Sequence, residues 1–325
     1  MSSSSKWEAT SFEILTQGRD RVSDQLFANG RMQVPLRINI KAAAQSASGE
    51  LVPYKLSPDE LDRIRLKDHH TNGPLPSAWQ ETDHKSGDWS DTFPNASAPE
   101  ESAPREDDSQ SYILWISTTE NGLKHIQATI PNGQGTWQTT KNSIALTAVY
   151  PIRYRVSESH NIEYRKNEVA KGSWTGEKHP DVHRGDWTQY NWYFSTTAHP
   201  TKQVELHDFS PDDLQLKLGD KKLRNAWRMK MEANSLQIAY VWECSQRREA
   251  PFGCYYMDRP QTMTVNQAAN ALRVTLLSFT HPVRNKYPYN FTFKPWFEIF
   301  DIYGNSGRFS LKLTDENAVE FENYS

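Results

Sequence analysis

The clearest pattern in the chain is alternation. From Met32 to Ile40 the apolar residues Met32, Val34, Leu36, Ile38 and Ile40 alternate with Gln33, Pro35, Arg37 and Asn39, the pattern of a strand with one face in a core. Pro35 cannot donate to a ladder, so it predicts an edge position for this strand. Further strand candidates are 12–15, 112–117, 125–130, 144–149, 189–196, 203–206, 235–243, 263–265, 273–279, 297–302 and 308–313. Asn121-Gly122, Asn132-Gly133 and Tyr303-Gly304-Asn305 supply turn signals between them. No segment longer than about 12 residues repeats apolar positions at helical spacing, so the pattern predicts an all-β chain.

Two blocks recur in the same order about half a chain apart. Leu56-Ser57-Pro58-Asp59-Glu60-Leu61 matches Phe209-Ser210-Pro211-Asp212-Asp213-Leu214, and the run ending at Trp79 matches the run ending at Trp227. Ser at an N-cap, Pro at the first helical position and an acid three residues after the Ser predict a one-turn helix. The alternating stretches Ile64 to Lys67 and Leu216 to Leu218 then read as strands, with Trp79 and Trp227 in equivalent core positions. The expected architecture is two tandem immunoglobulin-like β-sandwich domains arising from internal duplication, 1–157 and 158–325. Within the first, Glu81 to Ser109 holds nine acids, two bases and three Pro, a composition that predicts a mobile acidic loop at 81–109.

Charge narrows the function. Against 40 Asp and Glu stand 37 Lys and Arg, a net charge of −3 over 325 residues, which is not the basic footprint of a nucleic-acid binder. The start, Met1 to Trp7, has no apolar run of signal-peptide type, and this predicts a cytoplasmic protein or one released by a signal-independent route. No run approaches the roughly 18 apolar residues of a membrane-spanning helix.

Aromatic residues make up 12% of the chain, and Trp174, Trp187, Tyr190, Trp192, Tyr193 and Phe194 are clustered. Flanked by polar groups, Trp174, Trp187, Tyr190, Trp192 and Tyr193 are candidates for stacking on a glycan or packing on a protein; the competing reading is core packing. A second cluster runs from Tyr287 to Phe297. His179, Asp181 and His183 could ligate a metal, although Pro180 and the surrounding glycines place them in a loop, where solvated histidines are the simpler reading. Arg184-Gly185-Asp186 reads as a Gly-containing turn. Cys244 and Cys254 could face each other across a hairpin, or remain as thiols in a reducing compartment. The usual phosphate-loop, nucleophile-elbow and zinc-protease motifs are absent from the sequence, and no cofactor is implied.

The stretches Asn29 to Pro35, Leu56 to Leu61, Thr264 to Gln267 and Phe297 to Gly307 together resemble uncharacterised β-sandwich proteins of insect- and plant-associated bacteria. That resemblance spans most of the chain and implies a bacterial source and a host-interaction role, with no activity or site to carry over. The sequence therefore points to a non-enzymatic binding or structural protein acting on a glycan or protein surface of a host or neighbouring cell, as a virulence or insecticidal factor. Two alternatives stand beside it. One is a pore-forming toxin that refolds a β-hairpin from 111–156 or 235–265. The other is a metal-dependent hydrolase centred on His179 and His183.

Overall fold

The computed structural model describes residues 6–18, 20–94, 96, 109–157, 161–176, 183–208, 217–218, 221–222, 226–232, 235–252, 261–280, 291–314 and 318–325. The chain divides into two compact units, Met1–Pro151 and Ile152–Ser325. The first contains β1 (Trp7–Leu15), β2 (Ser23–Phe27), β3 (Val34–Gln45), β4 (Leu51–Tyr54), α1 (Pro58–Leu61), β5 (Arg65–Asp68), β6 (Trp79–Thr82), β7 (Gln110–Thr118), β8 (Gly122–Pro131), β9 (Trp137–Thr139) and β10 (Ile144–Val149). The second contains β11 (Ile162–Gly176), β12 (His183–Thr196), β13 (Thr201–His207), β14 (Lys217–Leu218), β15 (Lys221–Lys222), β16 (Ala226–Glu232), β17 (Ser235–Trp242), β18 (Glu249–Phe252), β19 (Gln261–Thr264), β20 (Leu272–Thr280), β21 (Phe291–Thr292), β22 (Trp296–Asp301), β23 (Ser306–Leu313) and β24 (Val319–Asn323).

In the first unit one sheet runs β1-β3-β7-β6 and the other β2-β10-β8-β5. Lettered in chain order, these are A, B, E, D on one sheet and C, F, G on the other, the immunoglobulin arrangement, with β2 added by parallel pairing to β10. The second unit repeats that order. Strands β11, β12, β20 and β17 take the A, B, E and D places, and β13, β22 and β23 take C, F and G. Strands β16 and β21 extend its first sheet, and β24 extends its second. One core cluster joins Trp192, Phe194, Val274 and Leu276 from the first sheet to Phe297, Ile299, Phe309 and Phe321 from the second, which makes the unit a sandwich.

The fold class expected from alternation is thus present in both units, but duplication is not shown, because the recurring blocks fall at different places. The Ser57 turn precedes the C strand β5, whereas β13, the C strand of the second unit, ends at His207, before Ser210. Trp79 lies on β6, which pairs directly with β7 in the E place. Trp227 lies on β16, one strand further from β20. Both indoles are buried, so the Trp match reflects a shared need to fill a core, not a shared position. Ser210 and the rest of 209–216 lie outside the described residues.

The Ser57 turn has the predicted capping box: Ser57 Oγ accepts from Glu60 N, and the Glu60 carboxylate accepts from Ser57 N at 2.8 Å. Met32, Val34, Leu36, Ile38 and Ile40 are all buried, as alternation requires. The edge expected from Pro35 is corrected, since β3 is central, between β1 and β7. Pairing with β1 stops at Arg37, so Pro35 sits where only β7 faces the strand and its missing N–H costs no bond to β1.

Glu81 and Thr82 belong to β6, and the acidic connection begins after them. Its first part is anchored by Lys85 to Asp91 at 3.1 Å and by Phe93 against Phe27. Residue 95 and residues 97–108 lie outside the described residues. Within the regions proposed as refolding hairpins, β7 and β8 sit in different sheets and β8 pairs with β9 and β10, while β17 pairs with β16 and β20, and β18 pairs with β19. No helix among the described residues is long and apolar enough to cross a membrane.

Candidate functional site

The clustered aromatics of β11 and β12 are placed by the pleat. Trp192 and Phe194 point into the inter-sheet core, with the half-buried Tyr190 packed against it. Trp174 and Trp187 lie over glycines on the facing strand: Gly172 pairs with Trp187, and Gly185 with Trp174. A Cβ at Gly172 would meet Trp187 Nε1 at 2.8 Å, so glycine is what lets the indole lie flat. Trp174, Trp187 and Trp192 are therefore buried, and the exposed contact surface expected of them is corrected to packing. Arg184-Gly185-Asp186 is strand rather than turn, with Asp186 N donating to Thr280 Oγ1.

Tyr193 belongs to a polar layer on the other face of this sheet. The Arg273 guanidinium stacks 3.6 Å from its ring centroid and donates to the Val265 carbonyl. Burial of Arg273 pushes its pKa down to about 10. Asn191 and Gln189 donate to the Thr264 carbonyl, and Trp242 donates to Thr275. Both faces of the sheet are thus covered, which is why β20 is buried at six consecutive positions and why β12 does not alternate. His179 and Asp181 lie outside the described residues, and His183 is known only as the first residue of β12. Among the described residues no group of three metal-ligating side chains converges. Cys244 is a free, half-buried thiol whose pKa burial pushes up to about 11, the state of an unreactive cysteine.

The most distinctive open site is on the outer face of the second sheet of unit two. Its foundation is Asp301, fully buried at the end of β22, which accepts from Tyr303 N, Asn305 N, Asn305 Nδ2 and Tyr154 Oη. Gly304, at φ 84°, closes this turn in the left-handed region. Proximity to Asp301 and burial raise the Tyr154 hydroxyl pKa well above its ordinary value, burial being the larger cause, so Tyr154 stays a donor. Tyr154 N also donates to Ser306 O at 3.2 Å, and Val156 N donates to Asn323 Oδ1 at 2.8 Å. Gly307 leaves room for Tyr154, whose backbone a Cβ there would strike. With Tyr154 fixed inward, Arg153 and Arg155 on either side of it are exposed.

These arginines line a cleft of about 520 Å³ with Tyr154, Glu298, Ser306, Gly307, Arg308, Asn323 and Tyr324. Glu298 Oε2 accepts from Arg308 Nε at 3.2 Å and Oε1 accepts from Ser306 Oγ at 2.7 Å, so the carboxylate is held in place. Arg153 and Arg155 have no carboxylate partner among the described residues. Behind the cleft, Trp296 stacks on Tyr324 with centroids 4.7 Å apart and planes 2° apart, and on His207 at 3.7 Å and 8°. Its Nε1 donates to Asp208 at 2.9 Å, and the Arg308 guanidinium lies 5.6 Å from its centroid. The result is a braced aromatic face, Tyr324 being 40% exposed, next to three guanidinium groups and one carboxylate. Sequence reasoning singled out Trp296 only as part of a cluster and missed the others. The available signal was alternation: Arg153-Tyr154-Arg155 and Trp296-Phe297-Glu298 each place their polar ends on one side.

No family model matches the chain, and no curated protein matches it. Among solved structures it is similar to the C-terminal domain of the antigen I/II polypeptide BspA of Streptococcus agalactiae, at 8% identity over 96% of this chain and 100% of that one, with a TM-score of 0.22. It is also similar to the C-terminal domain of the Streptococcus pyogenes antigen I/II-family protein AspA, at 6% identity over 97% and 99% of the two chains, with a TM-score of 0.22. At those scores the fold assignment rests on strand pairing.

Proposed function

We propose that this protein acts by recognition, binding a glycan or protein on the surface of a host or neighbouring cell through the cleft of its second unit. The observation that carries the reading is the pair Arg153 and Arg155, exposed, without a carboxylate partner among the described residues, and opening on the same cleft as the stacked Tyr324. Exposed aromatic faces and arginines are the groups that dominate binding sites, and the cleft has the volume of one. Among the described residues Glu298 is the one carboxylate lining it, and it is bound by Arg308 and Ser306, an arrangement suited to holding a ligand; glycoside hydrolysis employs two carboxyl groups. The host-interaction role follows from the resemblance to proteins of insect- and plant-associated bacteria.

The test is binding of the labelled full chain to cultured animal and plant cells, compared with an Arg155→Gln/Tyr324→Ala variant. Both positions are exposed, so the variant should keep its thermal midpoint while apparent affinity falls about tenfold or more. Equal binding by the two proteins would overturn the assignment of function to this cleft.

A further inference from the structure

Resting on the cleft as the binding site, we infer that its ligand is a sugar bearing a carboxylate, of the uronic or sialic acid kind. Among the described residues, three guanidinium groups, Arg153, Arg155 and Arg308, face one carboxylate, Glu298, an excess of positive charge in the cleft. Arg308 is oriented by Glu298 through Nε and by the face of Trp296, and among the described residues its terminal nitrogens have no hydrogen-bond partner, which leaves them as a fork for a planar anion. Tyr324, braced flat against Trp296, offers an aromatic face of the sort on which a sugar ring stacks.

Glu298 decides between an acidic sugar and an acidic peptide. Its oxygens take one bond each from Arg308 and Ser306, and a carboxylate has lone pairs for about four. The spare capacity accepts from hydroxyl donors. A sugar acid brings several hydroxyls for Glu298 and a single carboxylate for the arginines, whereas the side chains of a run of Asp or Glu are all acceptors, leave only backbone N–H groups as donors, and set several negative charges against Glu298. Ser306 and Asn323 add further polar contacts on the same wall.

The experiment uses the full chain on an array of uronate-bearing and sialylated glycans, printed beside the same glycans with each carboxylate converted to its amide, and beside neutral glycans and a tetraglutamate peptide. The expected result is binding to acidic glycans that falls about tenfold or more on amidation, with the same loss in Arg153→Gln/Arg155→Gln. That loss should shrink in high salt, where charge is screened for the wild type too. Equal binding to amidated or neutral glycans through a Tyr324-dependent site would overturn the acidic-sugar inference and leave the cleft as the binding site. Tighter binding of the peptide, or no glycan binding at all, would also overturn it. Glycan binding indifferent to Arg155→Gln/Tyr324→Ala would remove the cleft itself.

Discussion

At the level of single residues, a few side chains hold others in place. Asp301 is buried and has four donors, so removing the Tyr154 hydroxyl leaves it short of one; Tyr154→Phe should cost about 1 to 3 kcal/mol in urea unfolding. An unchanged midpoint would show that the hydroxyl does not anchor the Arg153 to Arg155 segment. In the first unit, backbone N–H groups of Thr71 and His70 and the Lys124 ammonium hold Asp68 at about 2, below its ordinary 3.8. A carboxyl lowered by folding stabilises the protein above its unfolded value, and that contribution disappears as pH falls through the folded one. Asp68→Asn should therefore be less stable than wild type at pH 7, with the gap closing between about pH 4 and pH 2. A gap constant over that window would contradict this. None of these roles is legible in the sequence, because each joins residues that only the pleat and the turns bring together.

At the scale of elements, the strand β20 is central in its sheet, paired with β12 and β17 and covered on both faces. Its amides should be among the slowest to exchange, and Leu276→Ala should cost about 2 to 5 kcal/mol, while Glu320→Ala on the outermost strand β24 should stay within about 0.5 kcal/mol. Fast exchange in β20 would contradict the pairing. Strands with one wet face were legible in part: the apolar positions from Met32 to Ile40 are all buried and Arg37 is exposed, but Gln33 and Pro35 are buried as well. Strand β12 was legible as a strand but not as to which of its aromatics are exposed, since Gln189 and Asn191 are as buried as Trp192 and the period carries no face. The recurring blocks do not by themselves establish a duplication, for a physical reason. A Ser-Pro-acid sequence and a core Trp answer local needs that recur in any sandwich; here the Ser57 turn precedes the C strand of its unit, whereas residues 209–214 follow the C strand of theirs.

At the scale of the molecule, two units of the same strand order are built to different ends. The first adds β2, β4 and β9 to its sheets, while the second adds β16, β21 and β24 and carries the aromatic and arginine cleft. Every residue lining that cleft, and every strand of both supporting sheets, lies within Ile152–Ser325. A fragment of residues 152–325 should therefore fold, by circular dichroism and a cooperative melt, and bind as the full chain does; an unfolded fragment would contradict the division. The cleft was out of reach of sequence reading because its arginines, its carboxylate and its tyrosine come from three separated segments, 153–155, 298–308 and 323–324. Hydrogen exchange of the full chain, with and without the glycan it binds best, shows whether the cleft of the second unit is where the ligand sits. Protection is predicted at 153–156, β22, β23 and 323–324, and protection confined to the first unit or to β11 and β12 would contradict it.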